Sequence, residues 1–257
     1  MDFDLLIISV VEGLTEFLPI SSTAHLIILS KILSVDLSLS YVKFYLLAIQ
    51  MGALLAGVFL FSKKIFSDKR LLENVIISFI PSAIIGFALY KVFKGLLEGN
   101  MALLTSMLFI GGVIFIYLEK YIIQNDAEFG KTDITKKDAF LVGIAQATAI
   151  VPGVSRSGAT IVAGVLRGIS KETIIEYTFI LALPTLGAAV AYDTYKSLDL
   201  LTSLENYSGL FIGVFLSFVV ALATLYAIKK HIKQISLTAF GIYRILLSLV
   251  IFSVYLF

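Results

Sequence analysis

The sequence contains no cysteine and no tryptophan among its 257 residues, so neither a disulfide framework nor a thiolate metal site can form. Charged residues are scarce, at 15% of the chain against 59% hydrophobic residues, and the mean hydropathy is +0.98. Soluble domains seldom have such a composition. It indicates an integral membrane protein that contacts the bilayer, with a formal net charge of +2 and no nucleic acid as an expected partner.

Apolar runs long enough to cross a bilayer occur six times, and they are 41–62, 72–93, 101–118, 173–195, 208–228 and 235–257. Two further apolar stretches, 3–33 and 139–167, are each interrupted by a proline followed by polar residues. Backbone groups freed by such a break are tolerated at membrane depth only where protein or a water-filled cavity satisfies them. We therefore predict two re-entrant helical hairpins. Asp2 and Asp4 replace the basic residues of a signal peptide, so we expect the first hairpin to belong to the mature fold.

Lysine and arginine concentrate in four connecting segments, which are 63–70, 119–138, 167–171 and 229–233. Six spans and two hairpins place all four on the cytoplasmic side, as the positive-inside rule requires. The hairpins then enter from opposite faces, as in an inverted repeat. A shift of 133 positions aligns Thr15 with Thr148, Pro19 with Pro152 and Ser22 with Ser155. We predict an all-α, polytopic helical bundle that forms one domain over residues 1–257 in the plasma membrane.

Acidic side chains lie inside the first hairpin, in EGLTEFLPISSTAH from Glu12 to His25. Glu12 and Glu16 are four residues apart and therefore share a helical face. Two carboxylates this close in a low dielectric require a bound divalent cation, a shared proton or a nearby basic side chain, unless the helix end lies in the hydrated headgroup region. Ser21, Ser22 and Thr23 follow. The three-residue step from Ser22 to His25 favours a hydroxyl and its base on one face.

The second hairpin carries a basic and hydroxyl-rich counterpart, PGVSRSGAT from Pro152 to Thr160. Residues after such a break begin a helix, and a helix N-terminus attracts anions. An arginine at this point matches the geometry of phosphate oxygens. The alternative is that Arg156 extends to the cytoplasmic interface while the small residues allow close helix packing. Together the two hairpins supply the groups that phosphoryl transfer requires.

These two motifs resemble the signatures of the undecaprenyl pyrophosphate phosphatases, also called the bacitracin-resistance family. The first signature is similar to ExxxE followed by LPxSSxxH, and the second to PGxSRSGxT. The resemblance is strongest over roughly 10–30 and 140–190, where LALPT at 181–185 also fits. It implies hydrolysis of a polyprenyl diphosphate to the lipid monophosphate and inorganic phosphate, which recycles the lipid carrier of cell-envelope glycan synthesis.

The resemblance also implies a role for each matching residue. The catalytic set would be Glu12, Glu16, Ser22, His25 and Arg156. Glu12 and Glu16 would bind a divalent cation, Mg²⁺ or Ca²⁺, or orient water, and Ser22 or His25 would attack or assist the attack. The substrate-binding set would be Ser21, Gln146, Gly153, Ser155, Arg156, Ser157 and Thr160. We expect the active site to open to the extracytoplasmic face, and the apolar groove for the prenyl tail to lie between spans.

A transporter is the alternative function. Inverted repeats with broken helices are typical of secondary transporters, and the same residues could carry a polyprenyl phosphate or another anion without hydrolysing it. Glu12 and Glu16, together with the Ser22/His25 pair, favour the hydrolase, because a carrier for an anion gains little from two carboxylates beside its substrate. The apolar surfaces do not reveal the oligomeric state, and a homodimer is one option.

Overall fold

The computed structural model describes residues 3–97, 100–124, 130–196 and 207–256, which form helices joined by short connections, with no β-strand in these ranges. Ten α-helices lie within them. They are α1 (Phe3–Thr15), α2 (Ser22–Ile32), α3 (Ser40–Ser67), α4 (Lys69–Leu97), α5 (Met101–Gln124), α6 (Lys136–Ala147), α7 (Arg156–Leu166), α8 (Lys171–Lys196), α9 (Tyr207–His231) and α10 (Leu237–Leu256). Two short 3₁₀ turns, Thr148–Ile150 and Ile232–Gln234, follow α6 and α9.

Long apolar helices confirm the prediction of an all-α, multi-pass membrane protein. Among the described residues, five helices are long and apolar enough to cross a bilayer: α3, α4, α5, α8 and α9. The 20-residue helix α10 coincides with the sixth predicted span but is shorter than these five. The six-span count and the opposite orientations of the hairpins therefore stay predictions.

The predicted hairpin stretches each fold as two short helices separated by an irregular segment. Residues 3–33 contain α1 and α2, and residues 139–167 contain most of α6 and all of α7. The helices α1 to α5 have 13, 11, 28, 29 and 24 residues, and α6 to α10 have 12, 11, 26, 25 and 20 in the same order. This correspondence supports the predicted internal repeat.

Helix packing repeats in the same way. The helix α1 lies against α9, and its equivalent α6 lies against α4. A Cβ added at Gly13 would meet the backbone of Ser217 and Ala221 on α9, and one added at Gly143 would meet the backbone of Ser78 on α4. Only glycine permits such close backbone approach. Each hairpin is therefore held against a long helix of the other half by a close glycine contact.

One end of the bundle collects the basic segments. Lys64 pairs with Glu176 at 2.6 Å, and Lys171 pairs with Glu119 at 3.2 Å. Asp138, at the start of α6, is fully buried and accepts hydrogen bonds from Lys131, from Thr135 and, at 2.9 Å, from Arg167 Nε. Burial alone would raise the pKa of Asp138, but these donors outweigh it and hold the pKa well below its ordinary range.

We expect Asp138→Asn to lower the stability of the detergent-solubilised protein at pH 7 by about 2 kcal/mol, because charged donors lose their partner. A carboxyl whose pKa is lowered by folding stabilises the protein fully above its unfolded pKa of about 3.9, and this stabilisation is lost progressively as the pH falls from there through the lower pKa of the folded state. Thermal unfolding should therefore show a deficit at pH 7 that shrinks towards pH 3. Asp133, which is exposed and pairs with Arg70, provides the control. Asp133→Asn should change stability by less than about 0.5 kcal/mol. A deficit that is independent of pH would contradict this account.

Candidate active site

The first hairpin breaks because proline cannot continue the α1 ladder. The helix ends at Thr15, and Pro19 lies in the irregular segment that follows. Ser21 adopts a φ of 70°, a left-handed conformation that is rare for residues other than glycine, and α2 begins directly after it. Strained backbone of this kind clusters at ligand-binding and catalytic sites.

The second hairpin breaks at a glycine, and a larger residue at this position would force the backbone to move. Gly153 has a φ of 90°, and a Cβ there would collide with the carbonyl oxygen of Leu104. Ser155 then caps α7 by accepting a hydrogen bond from the amide of Gly158 at 3.1 Å. Arg156 is the first residue of α7, so its side chain leaves the chain at a helix N-terminus.

Arg244, a residue that sequence reasoning did not single out, joins the two breaks. Its guanidinium is 2% exposed and donates at 3.0 Å to the carbonyl oxygens of both Pro19 and Gly153. It also donates to the carbonyl oxygens of Met107 and Leu108 on α5, at 3.2 and 3.3 Å. Arg244 stood in an apolar predicted span, and an ionisable residue at such a position is itself a signal of function.

A second link connects the hairpins through hydroxyl groups. Ser157 Oγ donates to the carbonyl oxygen of Leu18 at 3.0 Å and lies 2.9 Å from Ser155 Oγ. The backbone of the first hairpin is thereby bonded to the serine pair of the second. Both irregular segments are held at one depth in the bundle.

A cavity of about 370 Å³ lies between the two breaks. Most of the predicted polar residues line it: Glu12, Glu16, Ser21, Ser22, Ser155, Arg156 and Ser157. Thr23 and Gln50 are further polar lining residues, and Leu26, Leu46 and Leu186 contribute apolar surface. Gln50 escaped sequence reasoning because it stands alone in an otherwise apolar span.

The central contact joins the two hairpins by charge. Arg156 Nη2 lies 3.1 Å from Glu16 Oε1, and the two side chains are 15% and 7% exposed. Ser22 Oγ donates to the other oxygen of the same carboxylate, Glu16 Oε2, at 2.6 Å. Arg156 Nη1 donates to the carbonyl oxygen of Ala182 at 3.2 Å, which fixes the guanidinium against α8. The acidic side chain of the first hairpin and the basic side chain of the second hairpin are therefore in contact, as predicted.

Glu12 lies beside this pair with neither carboxylate oxygen bonded to a donor. Both oxygens are fully buried. An uncompensated buried carboxylate is costly, so it requires either a proton or a cation. Two adjacent carboxylates that line a cavity fit a divalent cation, whose other ligands would be phosphate oxygens or water. Within the described ranges, no group of three or more His, Cys, Asp and Glu side chains could hold a metal ion by itself.

His25 faces away from the cavity. One ring nitrogen, Nδ1, lies 2.8 Å from the carbonyl oxygen of Ser21, and Nε2 lies 2.6 Å from the hydroxyl of Tyr243. The imidazole and phenol rings also stack at 5.6 Å. Ser22 and His25 therefore do not form the predicted pair, because Ser22 bonds to Glu16 and both nitrogens of His25 have other partners. The contact orders Ser21, whose carbonyl accepts from Nδ1–H.

Three residues of the predicted substrate-binding set lie outside this cavity. Thr160 is buried against α8, with its hydroxyl 2.8 Å from that of Thr178. Gly153 shapes the backbone turn and gives its carbonyl to Arg244. Gln146 lines a separate cavity, where its amide nitrogen donates to Ser82 at 2.8 Å and to Thr185 at 3.1 Å.

Comparison with known proteins gives one family over nearly the whole chain. The model for the bacitracin resistance protein BacA matches residues 5–250. The chain belongs to this family. Proteins named undecaprenyl-diphosphatase are similar to it along their full lengths: one from Campylobacter fetus is 40% identical over 262 residues, covering all of both chains, and one from Aquifex aeolicus is 39% identical over 260 residues, covering 100% of this chain and 99% of its own. Another, from Sulfurihydrogenibium, is 41% identical and covers 97% of each chain.

We expect Arg244→Lys to lower kcat about 100-fold, because a lysine cannot bond to carbonyl groups of both hairpins at once and a displacement of about 1 Å at a reacting centre costs that much. The measurement is phosphate release from a prenyl diphosphate, with monodispersity in detergent as the test of folding. Arg70→Lys, at an exposed pair with Asp133, is the matched control and should leave kcat unchanged. Full activity of Arg244→Lys would show that the two breaks do not need this bridge.

Proposed function

We propose that the chain is a polyprenyl diphosphate phosphatase that converts an undecaprenyl-type diphosphate to the lipid monophosphate and inorganic phosphate. Its relatives are named for this activity, and its membrane fold gives a lipid substrate direct access. The observation that carries the proposal is the contact of Arg156 and Ser22 with opposite oxygens of Glu16 at 3.1 and 2.6 Å. This arrangement brings a guanidinium that can bind phosphate, a hydroxyl and a base for that hydroxyl together in one cavity.

Ser22 is the nucleophile in the proposed mechanism, and Glu16 is its base. Ser22 Oγ transfers its proton to Glu16 as it forms a bond to the terminal phosphorus, and the bond from that phosphorus to the bridging oxygen breaks. The lipid monophosphate leaves with the bridging oxygen, which takes the proton from Glu16 and so restores the carboxylate. Water then gives a proton to Glu16 as its oxygen bonds to the phosphorus of the phosphoserine. The bond from that phosphorus to Ser22 Oγ breaks, Ser22 Oγ takes the proton back from Glu16, and inorganic phosphate leaves.

Arg156 holds the diphosphate and stabilises the charge that spreads over the phosphate oxygens during transfer. Its planar fork suits this task, and its place at the start of α7 adds the favourable field of the helix N-terminus. Ser155 and Ser157 line the same wall, where their hydroxyls bond to each other and Ser157 also bonds to the carbonyl oxygen of Leu18. Glu12 and Glu16 would hold Mg²⁺ or Ca²⁺, which neutralises phosphate charge when bound.

The site opens to the extracytoplasmic side in this proposal. The ion pairs of Lys64 and Lys171 lie at the C-terminal end of α3 and the N-terminal end of α8. The cavity is lined instead by Leu46 near the start of α3 and by Ala189 near the end of α8. The positive-inside rule puts the basic end of the bundle in the cytoplasm. The cavity then lies in the half of the bundle nearer the outer face of the plasma membrane.

Phosphate release from farnesyl diphosphate, measured in detergent with Mg²⁺, tests this function. We expect Glu16→Gln and Arg156→Ala to lower kcat/KM about 1,000-fold, because each removes charge that acts on the reacting groups. Removal of divalent cations with EDTA should also abolish release. The exposed Glu73, at the cytoplasmic end, gives the matched control Glu73→Gln, which should keep full activity. Unchanged hydrolysis by the Glu16 and Arg156 variants would refute the assignment, and transport without hydrolysis would favour a carrier.

The roles of Ser22 and His25 can be separated by trapping the intermediate. Acid quenching during turnover, followed by mass spectrometry, should find phosphate on Ser22 and none on His25. We expect Ser22→Ala to lower kcat about 1,000-fold, whereas His25→Gln should lower it about tenfold through loss of the contacts that order Ser21. Phosphohistidine at His25, or a His25→Gln variant as inactive as Ser22→Ala, would assign the chemistry to the imidazole.

A further inference from the structure

A second and larger cavity, which we call the lateral groove, lies between α4 and α8 and has a volume of about 490 Å³. Its lining is mostly apolar and includes Phe79, Ala83, Gly86, Phe87, Ile150 and Ala188. Both flanking helices are among those apolar enough to span a bilayer. Phe87 at its edge is 72% exposed and contacts the ring of Tyr192 edge-on at 6.1 Å. The groove therefore faces the lipid side of the bundle.

The lateral groove adjoins the catalytic cavity. Arg156, Ala149 and Ala189 line both the lateral groove and the catalytic cavity. These three residues, one arginine and two alanines, are therefore part of the partition between the two spaces. A molecule held by Arg156 in the catalytic cavity lies next to the lateral groove.

Gln146, Ser82 and Thr185 are polar residues of the lateral groove near this partition, and Tyr192 and Asp193 on α8 are further polar residues of its lining. Gln146, which is 3% exposed, donates its amide hydrogens to Ser82 and Thr185. Thr185 is one helical turn beyond Ala182, whose carbonyl binds Arg156. The other amide atom of Gln146, Oε1, is buried without a donor. A buried acceptor normally has a partner, so this oxygen indicates a ligand that brings a donor, such as a phosphate hydroxyl or its bound water.

We infer that the lateral groove receives the hydrocarbon chain of the lipid diphosphate, an inference that rests on the function proposed above. An amphiphile held at Arg156 has its polar part beside Gln146 and its chain along the apolar residues that lead to the lipid-exposed edge. The catalytic cavity also has leucines, but it is smaller and must accommodate the diphosphate beside two carboxylates.

Gly86 allows the lateral groove to be filled without disturbing the fold. A Cβ placed there would meet no atom within 4 Å, so a larger side chain enters open space rather than the backbone of a neighbour. Replacing glycine inside a helix also favours the helix. Ile84 on the same helix, 64% exposed and outside the groove lining, supplies a matched control.

The test compares Gly86→Phe with wild type on geranylgeranyl diphosphate, whose chain has four prenyl units, and on dimethylallyl diphosphate, whose chain has one. We expect kcat/KM for the long substrate to fall about tenfold through KM, and for the short substrate to stay within about twofold. Ile84→Phe should match wild type on both. Retention of tritiated geranylgeranyl diphosphate in EDTA should be weakened by Gly86→Phe to the same extent.

Each other outcome is informative. Equal losses on both substrates would mean that the lateral groove serves the headgroup or phosphate release, and no loss on either would mean that the chain does not enter it; both overturn the inference. A change in chain-length preference in Leu46→Phe, but not in Gly86→Phe, would place the chain in the catalytic cavity instead. If wild type hydrolyses neither substrate, the proposed function fails, and the retention measurement still decides whether the chain occupies the lateral groove.

Discussion

The hydrogen bonds of Arg244 satisfy the constraint on which the rest of the structure depends. Two helices are broken inside an apolar bundle, and a carbonyl group freed at such a depth must find a donor within the protein. Arg244 donates to one carbonyl in each break, at Pro19 and Gly153, and to two more on α5. A guanidinium can do this because it presents five hydrogens in a rigid plane. Its own burial is tolerated because these dipoles, with the face of Phe115 at 5.7 Å, surround the charge.

Once the breaks are fixed, the charged contact between Glu16 and Arg156 follows from their places in the chain. Glu16 is the first residue after α1, and Arg156 is the first residue of α7. A buried ion pair gains little stability, because its attraction only offsets the cost of removing two charges from water. Such a pair is well suited to exchange partners. In the proposed mechanism, a diphosphate takes over Arg156 and leaves Glu16 to act on Ser22.

The sequence was sufficient to predict the helical class, the two interrupted stretches and the meeting of Glu16 with Arg156. Prolines next to polar residues in apolar runs have few explanations other than a break that protein must satisfy. The orientation of His25 was not predictable, because the step from Ser22 defines a helical face but not its neighbour, and that neighbour is Tyr243 from the far end of the chain. Thr160 was misleading for the same reason: its motif position is inside α7, one turn beyond the residues that reach the cavity.

The internal repeat shows how a symmetric scaffold can carry a one-sided site. The shift that aligns Pro19 with Pro152 places Ala149 at the position of Glu16 and Thr23 at the position of Arg156. Each half therefore contributes charge of one sign only to the catalytic cavity, while both halves contribute a hydroxyl at the same repeat position, Ser22 and Ser155. A carrier that alternates between two equivalent arrangements needs its binding groups to serve both faces. Here the carboxylates and the guanidinium converge on a single cavity away from the basic end, and this asymmetry favours chemistry at one membrane face.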